Sequence, residues 1–581
     1  MFQKFVKNSK GLENNFVKIA KILIIIFMSF SVLVNFIPFF EGSNSYHYGI
    51  ASILLVEEGI TKSNPFLEKD GFLVDNWLLT DQKEMIPMSG QGLITLGGIF
   101  YLIGGYFGLY YLSPIFFIIL LITSERIATN LFGKYVGLIA LILLSTSNLL
   151  FRNSIQLQTE SIFCLMFILG AYFLIKFGKT NKSYLILIAS TFFVISTTIR
   201  LSGIISFPLE FFILSIFIIN NYLTNKKIKN KKSYQRKIKN IVTLSLAAIP
   251  WIIFFLFFFY GNISNFGEPV VIYGTLDEAQ NRNYDSSPLA LIEFEKSDFE
   301  NVKQYGKYLL PYIFVGVYDN IENNFENVLG QNWLGLIPLI ILSLIFIFSY
   351  KSKNKKLEMF VMILLILSTV WFYASITSEE RAEKGVPGRY VLPVFVMSSM
   401  IFGYGIERIF VNIRNKKWKR SKIFQLSLVL VLLVFVIISY YFTPSVTMLG
   451  QESYFKNPYD YKREFPLKEN GINENDIVVT GMGSRALEYN LIPFNPSEDL
   501  NVKPKHEIIT NESIESLNLL VKDYDVFVFK TPYNNNEIKT VSELEKKGFV
   551  FIDYSENFCS METDIELLKS QKKCIFNKSI R

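Results

Sequence analysis

Cysteine and histidine are almost missing from this sequence: the 581 residues hold three of the first (Cys164, Cys559, Cys574) and two of the second (His47, His506). So few cysteines exclude a disulfide-built scaffold, a zinc ribbon and an iron–sulfur protein. Two histidines argue against a His-based metal site or a Ser-His-Asp triad. There is no Walker A sequence, so energy from ATP would have to come through another chain. Charge is scarce as well, at 19% of residues, where a soluble chain carries about 25%. The formal balance of +8 would suit a nucleic acid if its cations were clustered on one surface, but they sit in short loops between apolar segments, so no nucleic-acid partner is expected.

What the chain has instead is apolar length. Half of its residues are apolar, including 55 Phe and 31 Tyr. They collect in about eleven nearly charge-free segments of roughly 17 to 22 residues, the length a helix needs to cross a bilayer. The expected fold is a polytopic α-helical membrane protein with about 11 transmembrane helices. The spans fall near 19–40, 108–124, 134–150, 160–176, 183–198, 203–222, 241–260, 332–350, 357–376, 390–410 and 423–443. The first is long and followed by Glu41 and Tyr46 rather than by a small-residue cleavage site, so it reads as a retained span.

Short Lys/Arg-rich loops stay in the cytoplasm. Lys4, Lys7, Lys10 and Lys18 place the N-terminus there, and alternate counting places the basic loops 226–239, 351–356 and 414–422 on the same side. Loops 41–107 and 261–331 and everything after 443 then lie outside the cell membrane. The stretch 92–105 is apolar but short and Gly-rich; a full span there would invert every later loop, so it reads as a surface or re-entrant helix. Residues 1–443 form the expected multi-span domain. Residues 444–581 have another texture, with charge throughout and short apolar runs at 477–480, 526–529 and 549–552, which reads as a small extracytoplasmic α/β domain. Gly481-Met-Gly483-Ser-Arg-Ala486 after the first run imitates a dinucleotide loop but reads better as a tight turn. Cys559 and Cys574 lie where the compartment permits a disulfide.

Ionisable residues at the ends of spans are costly unless paired or used. Four groups stand out, all on the outer face by this count. Glu41 opens the first outer loop, with Asp70, Asp75, Asp81 and Glu84 further along. Arg152 and Glu160 lead into the fourth span, Arg200 ends the fifth, and Glu379, Glu380, Arg381 and Arg389 precede the tenth. A carboxylate at the membrane surface can take a proton from an acceptor hydroxyl. Arginine suits a phosphate, because its planar fork stays charged when partly buried. Each residue alone could equally be a solvated helix end or a cation reaching lipid headgroups.

Taken in order, Glu41, Pro87-Met-Ser-Gly90-Gln-Gly92, Tyr111-Leu-Ser-Pro114, Arg126, Leu131-Phe-Gly133, Glu160, Arg200-Leu-Ser-Gly203 and Arg389-Tyr-Val-Leu-Pro393 resemble the membrane-embedded GT-C glycosyltransferases of the protein mannosyltransferase and aminoarabinose transferase type. The resemblance runs over about residues 15–410. It implies inverting transfer of a sugar from a polyprenyl-phosphate (dolichyl-phosphate-like) donor to an acceptor protein, lipid or glycan on the outer face. It puts the general base at Glu41, where the family usually has Asp, with Asp70, Asp75 and Asp81 behind it. It makes Glu160, Asp70, Asp75 and Asp81 candidates for binding the acceptor or a metal, and gives Arg200 and Arg389 the lipid phosphate. Some members of the wider superfamily use a divalent metal ion; the first loop here has no Asp-x-Asp pair, which leaves metal dependence open. The main alternative is a membrane transporter or lipid flippase. It would place ionisable residues near the bilayer midplane, whereas the charges picked out here gather at one face.

Overall fold

The structure is a computed structural model. It describes residues 2–34, 42–57, 59, 77–79, 85–87, 90–147, 150–151, 153–225, 232–267, 355–376, 392–415, 477–480, 526–529, 550–553 and 574–578. The expected spans 332–350 and 423–443, and Cys559, lie outside the described residues. Contacts divide the chain into two units, residues 1–36, 111–258 and 292–450 in the first and 37–110, 259–291 and 451–581 in the second.

The first unit is helical. Its elements are α1 (Phe2–Val34) and, after the α2 and β1–β2 segments of the second unit, most of α3 (Gln91–Leu131), α4 (Lys134–Ser145), α5 (Glu160–Thr180), α6 (Tyr184–Ile199), α7 (Ser206–Asn225), α8 (Lys232–Phe266), α9 (Lys356–Ile376) and α10 (Leu392–Asn415). α10 packs against α4, α5 and α9; α1 packs on α4; α9 also meets α5 and α7. α5 and α6 form a tight antiparallel hairpin. Asn181 turns it with a left-handed φ of 55° and donates its N–H to Phe177 O, a conformation Asn tolerates well. Phe193 of α6 lies so close to Gly170 of α5 that a Cβ there would stand 2.7 Å from its ring. The Phe167 and Phe193 rings meet edge to face with centroids 5.6 Å apart, and Phe173 stacks on Phe192.

Two helices show apolar side chains on the outside. On α1, Phe16, Ile19, Leu23, Ile26 and Phe30 are all exposed, spaced three and four apart so that they make one stripe. On α8, Ile249, Ile252, Ile253, Leu256 and Phe257 do the same. Stripes of this size would drive aggregation in water; in a bilayer they face lipid, where the closed backbone hydrogen bonding of a helix is also required. Among the described residues, five helical stretches are long and apolar enough to span a membrane, including Asn15–Val34, Glu160–Thr180 and Lys239–Asn265. The chain is a polytopic helical membrane protein.

At one end of this unit polar side chains tie the helices together. Lys21 of α1 donates to Glu125 Oε1 at 2.5 Å and to Thr129 Oγ1 at 2.9 Å on α3. Glu358 of α9 lies 2.6 Å from Lys179 of α5 and 3.4 Å from Lys355, whose Nζ also donates to Leu131 O.

The second unit contains α2 (Gly42–Glu57), the antiparallel pair β1 (Trp77–Leu79) and β2 (Met85–Pro87), the start of α3, and a four-stranded sheet of β3 (Ile477–Thr480), β4 (Val526–Phe529), β5 (Val550–Asp553) and β6 (Cys574–Lys578) in the order β3-β4-β6-β5. β3 and β4 are parallel and the other pairs antiparallel. β3, β4 and β5 fall on the three apolar runs read in the tail, the third displaced by one residue, from 549–552 to Val550–Asp553; β6 at Cys574–Lys578 is not among them.

α3 is not one straight rod. Gly105 has φ 57° and ψ −144°, which only glycine adopts at low cost. There the chain folds back on itself: Leu109 lies 3.2 Å from where a Gly97 Cβ would be, and a Cβ on Gly108 would overlap the Phe100 carbonyl. The stretch 92–105 is thus a separate arm, seated through Gly97 and Gly98 on Ser52, Leu55 and Val56 of α2. Gly90 starts the arm against the ring of Tyr48.

Candidate functional site

Glu160 is the first residue of α5 and Arg200 the residue that ends α6. Each charge suits its helix end, since an acid is favoured at an N-terminus and a cation at a C-terminus. The antiparallel hairpin brings these two ends together. Arg200 Nη1 donates to Glu160 Oε1 at 2.9 Å, with the two side chains 15% and 2% exposed. Thr159 Oγ1 stands 3.4 Å from the other carboxylate oxygen.

The backbone around Arg200 is held on both sides. Its N–H donates to Ser196 O, and its carbonyl accepts from Gly203 N at 2.8 Å. Arg200 itself is extended, at φ −148° and ψ 120°, between α6 and a short 3-10 turn at Leu201–Ile205 that leads into α7. A Cβ on Gly203 would sit 2.8 Å from Thr197 N and 2.9 Å from Thr197 Cα. Glycine in Arg200-Leu-Ser-Gly203 therefore lets the turn close against α6 and fixes the point from which Arg200 projects.

The segment leading into Glu160 is buried and tied down. Ser113 Oγ donates to Gln158 O, and Gln158 N donates back to Ser113 Oγ, each at 3.0 Å. Ser154 Oγ lies 2.7 Å from Ser161 Oγ. Ser154, Thr159, Ser161, Ser196, Thr197 and Ser206 are all buried; Thr159 stands beside the ion pair, while Ser154, Ser196, Thr197 and Ser206 donate to backbone carbonyls of their own segments. Tyr111-Leu-Ser-Pro114, Glu160 and Arg200-Leu-Ser-Gly203, three separate motifs in sequence, are one place in the fold. Pro393 is buried in the first turn of α10.

Of the residues singled out from sequence, the structure joins Glu160 to Arg200. Glu41, Asp70, Asp75, Asp81, Glu84, Arg152 and Arg389 lie outside the described residues. Among the described residues no group of three or more His, Cys, Asp or Glu could hold a metal ion. Two buried acids escaped the sequence reading, Glu358 of the Lys179 pair and Glu210. Glu210, inside the expected span 203–222, is fully buried; Ser190 Oγ donates to its Oε1 at 2.6 Å and Trp251 Nε1 to its Oε2 at 2.9 Å. Its signal was present, since Glu210 is the one acid in that span.

This helical architecture is similar in fold to that of ArnT, a membrane protein of known structure. The chain superimposes over 97% of its length on 98% of ArnT from Cupriavidus metallidurans bound to undecaprenyl phosphate, with a TM-score of 0.52 and 11% identity. Against the apo state of ArnT from the same organism it covers 98% of both chains, with a TM-score of 0.51 and 10% identity. The oligosaccharyltransferase AglB from Archaeoglobus fulgidus, in complex with an inhibitory peptide and a dolichol-phosphate, matches over 87% of this chain and 69% of its own, at TM-score 0.49 and 11% identity. At such identities the likeness is one of fold. A model of an acyltransferase domain matches residues 210–462, and no curated protein matches the sequence.

Proposed function

We propose that the protein is a glycosyltransferase that moves a hexosyl or pentosyl group from a polyprenyl-phosphate-linked donor to an acceptor on the outer face of the membrane, with inversion at the anomeric carbon. The observation that carries this reading is the recessed Glu160–Arg200 pair, in a chain similar in fold to ArnT over 97% of its length. That ArnT structure holds undecaprenyl phosphate, a ligand that suits a site of this kind. The lipid tail is at home among apolar helices, and its phosphate needs a cation at the interface.

In the reaction Glu41 takes the proton of the acceptor hydroxyl as its oxygen attacks the anomeric carbon. The bond from that carbon to the phosphate oxygen breaks, and the polyprenyl phosphate leaves with the bonding electrons. Arg200 and Arg389 take up the charge that develops on it. Glu160, with Asp70, Asp75 and Asp81, binds the acceptor or a divalent metal. Eleven spans, a cytoplasmic N-terminus and an extracytoplasmic α/β domain at 444–581 complete the reading. That domain positions an acceptor or a partner.

Acyl transfer is the second reading, favoured by the match at 210–462. That stretch is less than half the chain, contains neither histidine, and stops short of Glu160 and Arg200. The deciding experiment supplies membranes containing the protein with labelled polyprenyl-phosphate sugars and, separately, labelled acyl thioesters. Sugar transfer that disappears in Glu41→Gln and Arg389→Ala, at unchanged protein level, is expected. Acyl transfer without sugar transfer would replace this reading with the second, and no transfer at all beside an active control enzyme would favour a transporter.

A further inference from the structure

Around the turn between α5 and α6, cations outnumber acids among the described residues. This is the end of the hairpin opposite Glu160: Lys179, in the last turn of α5, lies about 28 Å along the helix from that acid at 1.5 Å per residue. One buried carboxylate serves this end, Glu358, and it already meets two cations, Lys179 at 2.6 Å and Lys355 at 3.4 Å. Lys182, in the turn, and Lys239, near the start of α8, are both exposed, and among the described residues neither has an ion-pair partner. Their neighbours join them, since Ser183 Oγ lies 2.9 Å from Thr243 Oγ1, which donates to Lys239 O at 2.8 Å. We propose that Lys182 and Lys239 together hold the phosphate of an anionic phospholipid in the leaflet at this end, the cytoplasmic one in the topology set out above.

The height of the two lysines selects a lipid. α8 has 35 residues, about 52 Å of helix, against a hydrocarbon core of about 30 Å. Its exposed apolar side chains begin at Ile241 and Val242, so residues 232–240 continue past the core by about 13 Å. Lys239 stands two residues beyond Ile241. On the other element Tyr184 is exposed next to Ser183, the place of an aromatic ring at a membrane–water interface. Both ammonium groups are therefore at headgroup level, on flexible four-carbon stems. Helix register carries the same line outward. Positions 232, 236 and 239 share a face with buried Thr243, at spacings of four, three and four, and they are Lys232, Arg236 and Lys239. It is the face on which Thr243 meets Ser183.

The chemistry of the headgroup follows from the two cations. A phosphate diester has one negative charge shared by two free oxygens, so each ammonium can donate to one of them in a charge-assisted bond. Phosphatidylethanolamine carries an ammonium of its own, which would bring a third cation to the same place; a glycerol headgroup brings only hydroxyls. An inorganic phosphate offers the same oxygens. It has no acyl chain, however, to lie on the exposed Ile241, Val242 and Leu244 of α8 directly beside the lysines. Basic groups gathered between helices at this surface are suited to acidic headgroups for the same reason. A lipid held there adds a second tie between α8 and the α5–α6 hairpin, next to the Ser183–Thr243 hydroxyl pair, and nothing in this contact depends on sugar transfer.

In the test, full-length protein freed of lipid in a neutral detergent is titrated separately with phosphatidylglycerol, phosphatidylethanolamine and inorganic phosphate, and both the bound ligand and the melting temperature are read. The wild type should hold phosphatidylglycerol at least about 5-fold more tightly than phosphatidylethanolamine and melt higher with it. Lys182→Ala and Lys239→Ala should each weaken phosphatidylglycerol binding about 5-fold, equivalent to about 1 kcal/mol for a basic residue near the membrane surface, and the double variant should lose the rise in melting temperature. Lys182→Arg and Lys239→Arg should keep both. Lys18→Ala removes an exposed lysine from α1 and should change binding by less than about 2-fold. All these side chains are exposed, so the variants should fold. Equal affinity of the wild type for the two lipids, or a loss in Lys18→Ala as large as in the other two, overturns the site and leaves only a general attraction of basic residues to the surface. Stabilisation by inorganic phosphate that phosphatidylglycerol does not exceed overturns the lipid as its occupant.

Discussion

Replacing Glu210 separates a buried acid used as a hydrogen-bond acceptor from one tolerated by accident. Its carboxylate receives Ser190 of α6 at 2.6 Å and Trp251 of α8 at 2.9 Å, so one side chain on α7 joins three helices. All three residues are buried. Interhelical hydrogen bonds in membranes average about 0.6 kcal/mol and reach about 1.7. Leaving the Trp251 N–H without an acceptor adds a desolvation cost of about 1–3 kcal/mol. Glu210→Ala should therefore destabilise the helical unit by about 2–4 kcal/mol. Glu210→Gln keeps an oxygen for Trp251 and an amide N–H for Ser190, and should cost under about 1 kcal/mol. At about 2.1 cal/mol/K of unfolding entropy per residue over some 250 residues, one kcal/mol moves the midpoint by about 2 °C, so the Ala variant should melt about 4–8 °C lower. Retention of monodisperse protein on size exclusion after heating reads this difference. In a cycle with Trp251→Phe, the double variant should lose less than the sum of the single losses. Ala and Gln variants that melt together, or strictly additive losses, would refute the argument.

Gly203→Ala should lower sugar transfer at least about tenfold, because a Cβ meeting Thr197 backbone at 2.8 Å costs about 1–3 kcal/mol of strain and displaces the base of Arg200; a wild-type rate would show that this corner does not position the arginine. Gly105→Ala forces a side chain into a torsion pair near φ 57°, ψ −144° and should cost about 1–3 kcal/mol, seen as a lower melting temperature that Gly104→Ala does not share. Lys21→Met should destabilise by leaving Glu125 with an unpaired charge, and adding Glu125→Gln should recover part of the loss, measured by the same heating assay; a double variant worse than either single one would deny the pairing. In a protein without its three cysteines, Lys229→Cys should react with an impermeant thiol reagent only from the cytoplasmic side and Asp499→Cys only from the outside. The reverse pattern would invert the orientation.

Much of the helical layout can be read one segment at a time. α5 begins at Glu160, where the charge-free run begins; α6 ends at Ile199, one residue before Arg200. Three of the four tail strands follow apolar runs of four residues, short runs bounded by polar stretches being a strand signal in sequence. Hydropathy has no view of partners, however. Glu160 and Arg200 are 40 positions apart and Lys21 and Glu125 are 104 apart; the first two were visible as costly charges and the second two were not singled out, and in both pairs the mate depends on which helices pack. Glu210 was hidden for a related reason, since one acid among many apolar neighbours barely alters a segment average while two donors from other helices change its energetics. Arg200-Leu-Ser-Gly203 was legible as a motif, and its physical content, a glycine too close to Thr197 for any other residue, emerged only with the turn around it.

The Lys21 clasp has a consequence for a place far from it. α1 shows much of its surface to lipid, and an apolar helix against apolar chains can slide along its axis at little cost. The bond from Lys21 to Glu125 and Thr129 removes that freedom. From Lys21 to Val34 the helix rises by about 20 Å at 1.5 Å per residue, and Glu41 follows seven positions later. The clasp thus works as the zero mark of a ruler: a contact at one end of α1 sets the depth at which the helix ends at the other.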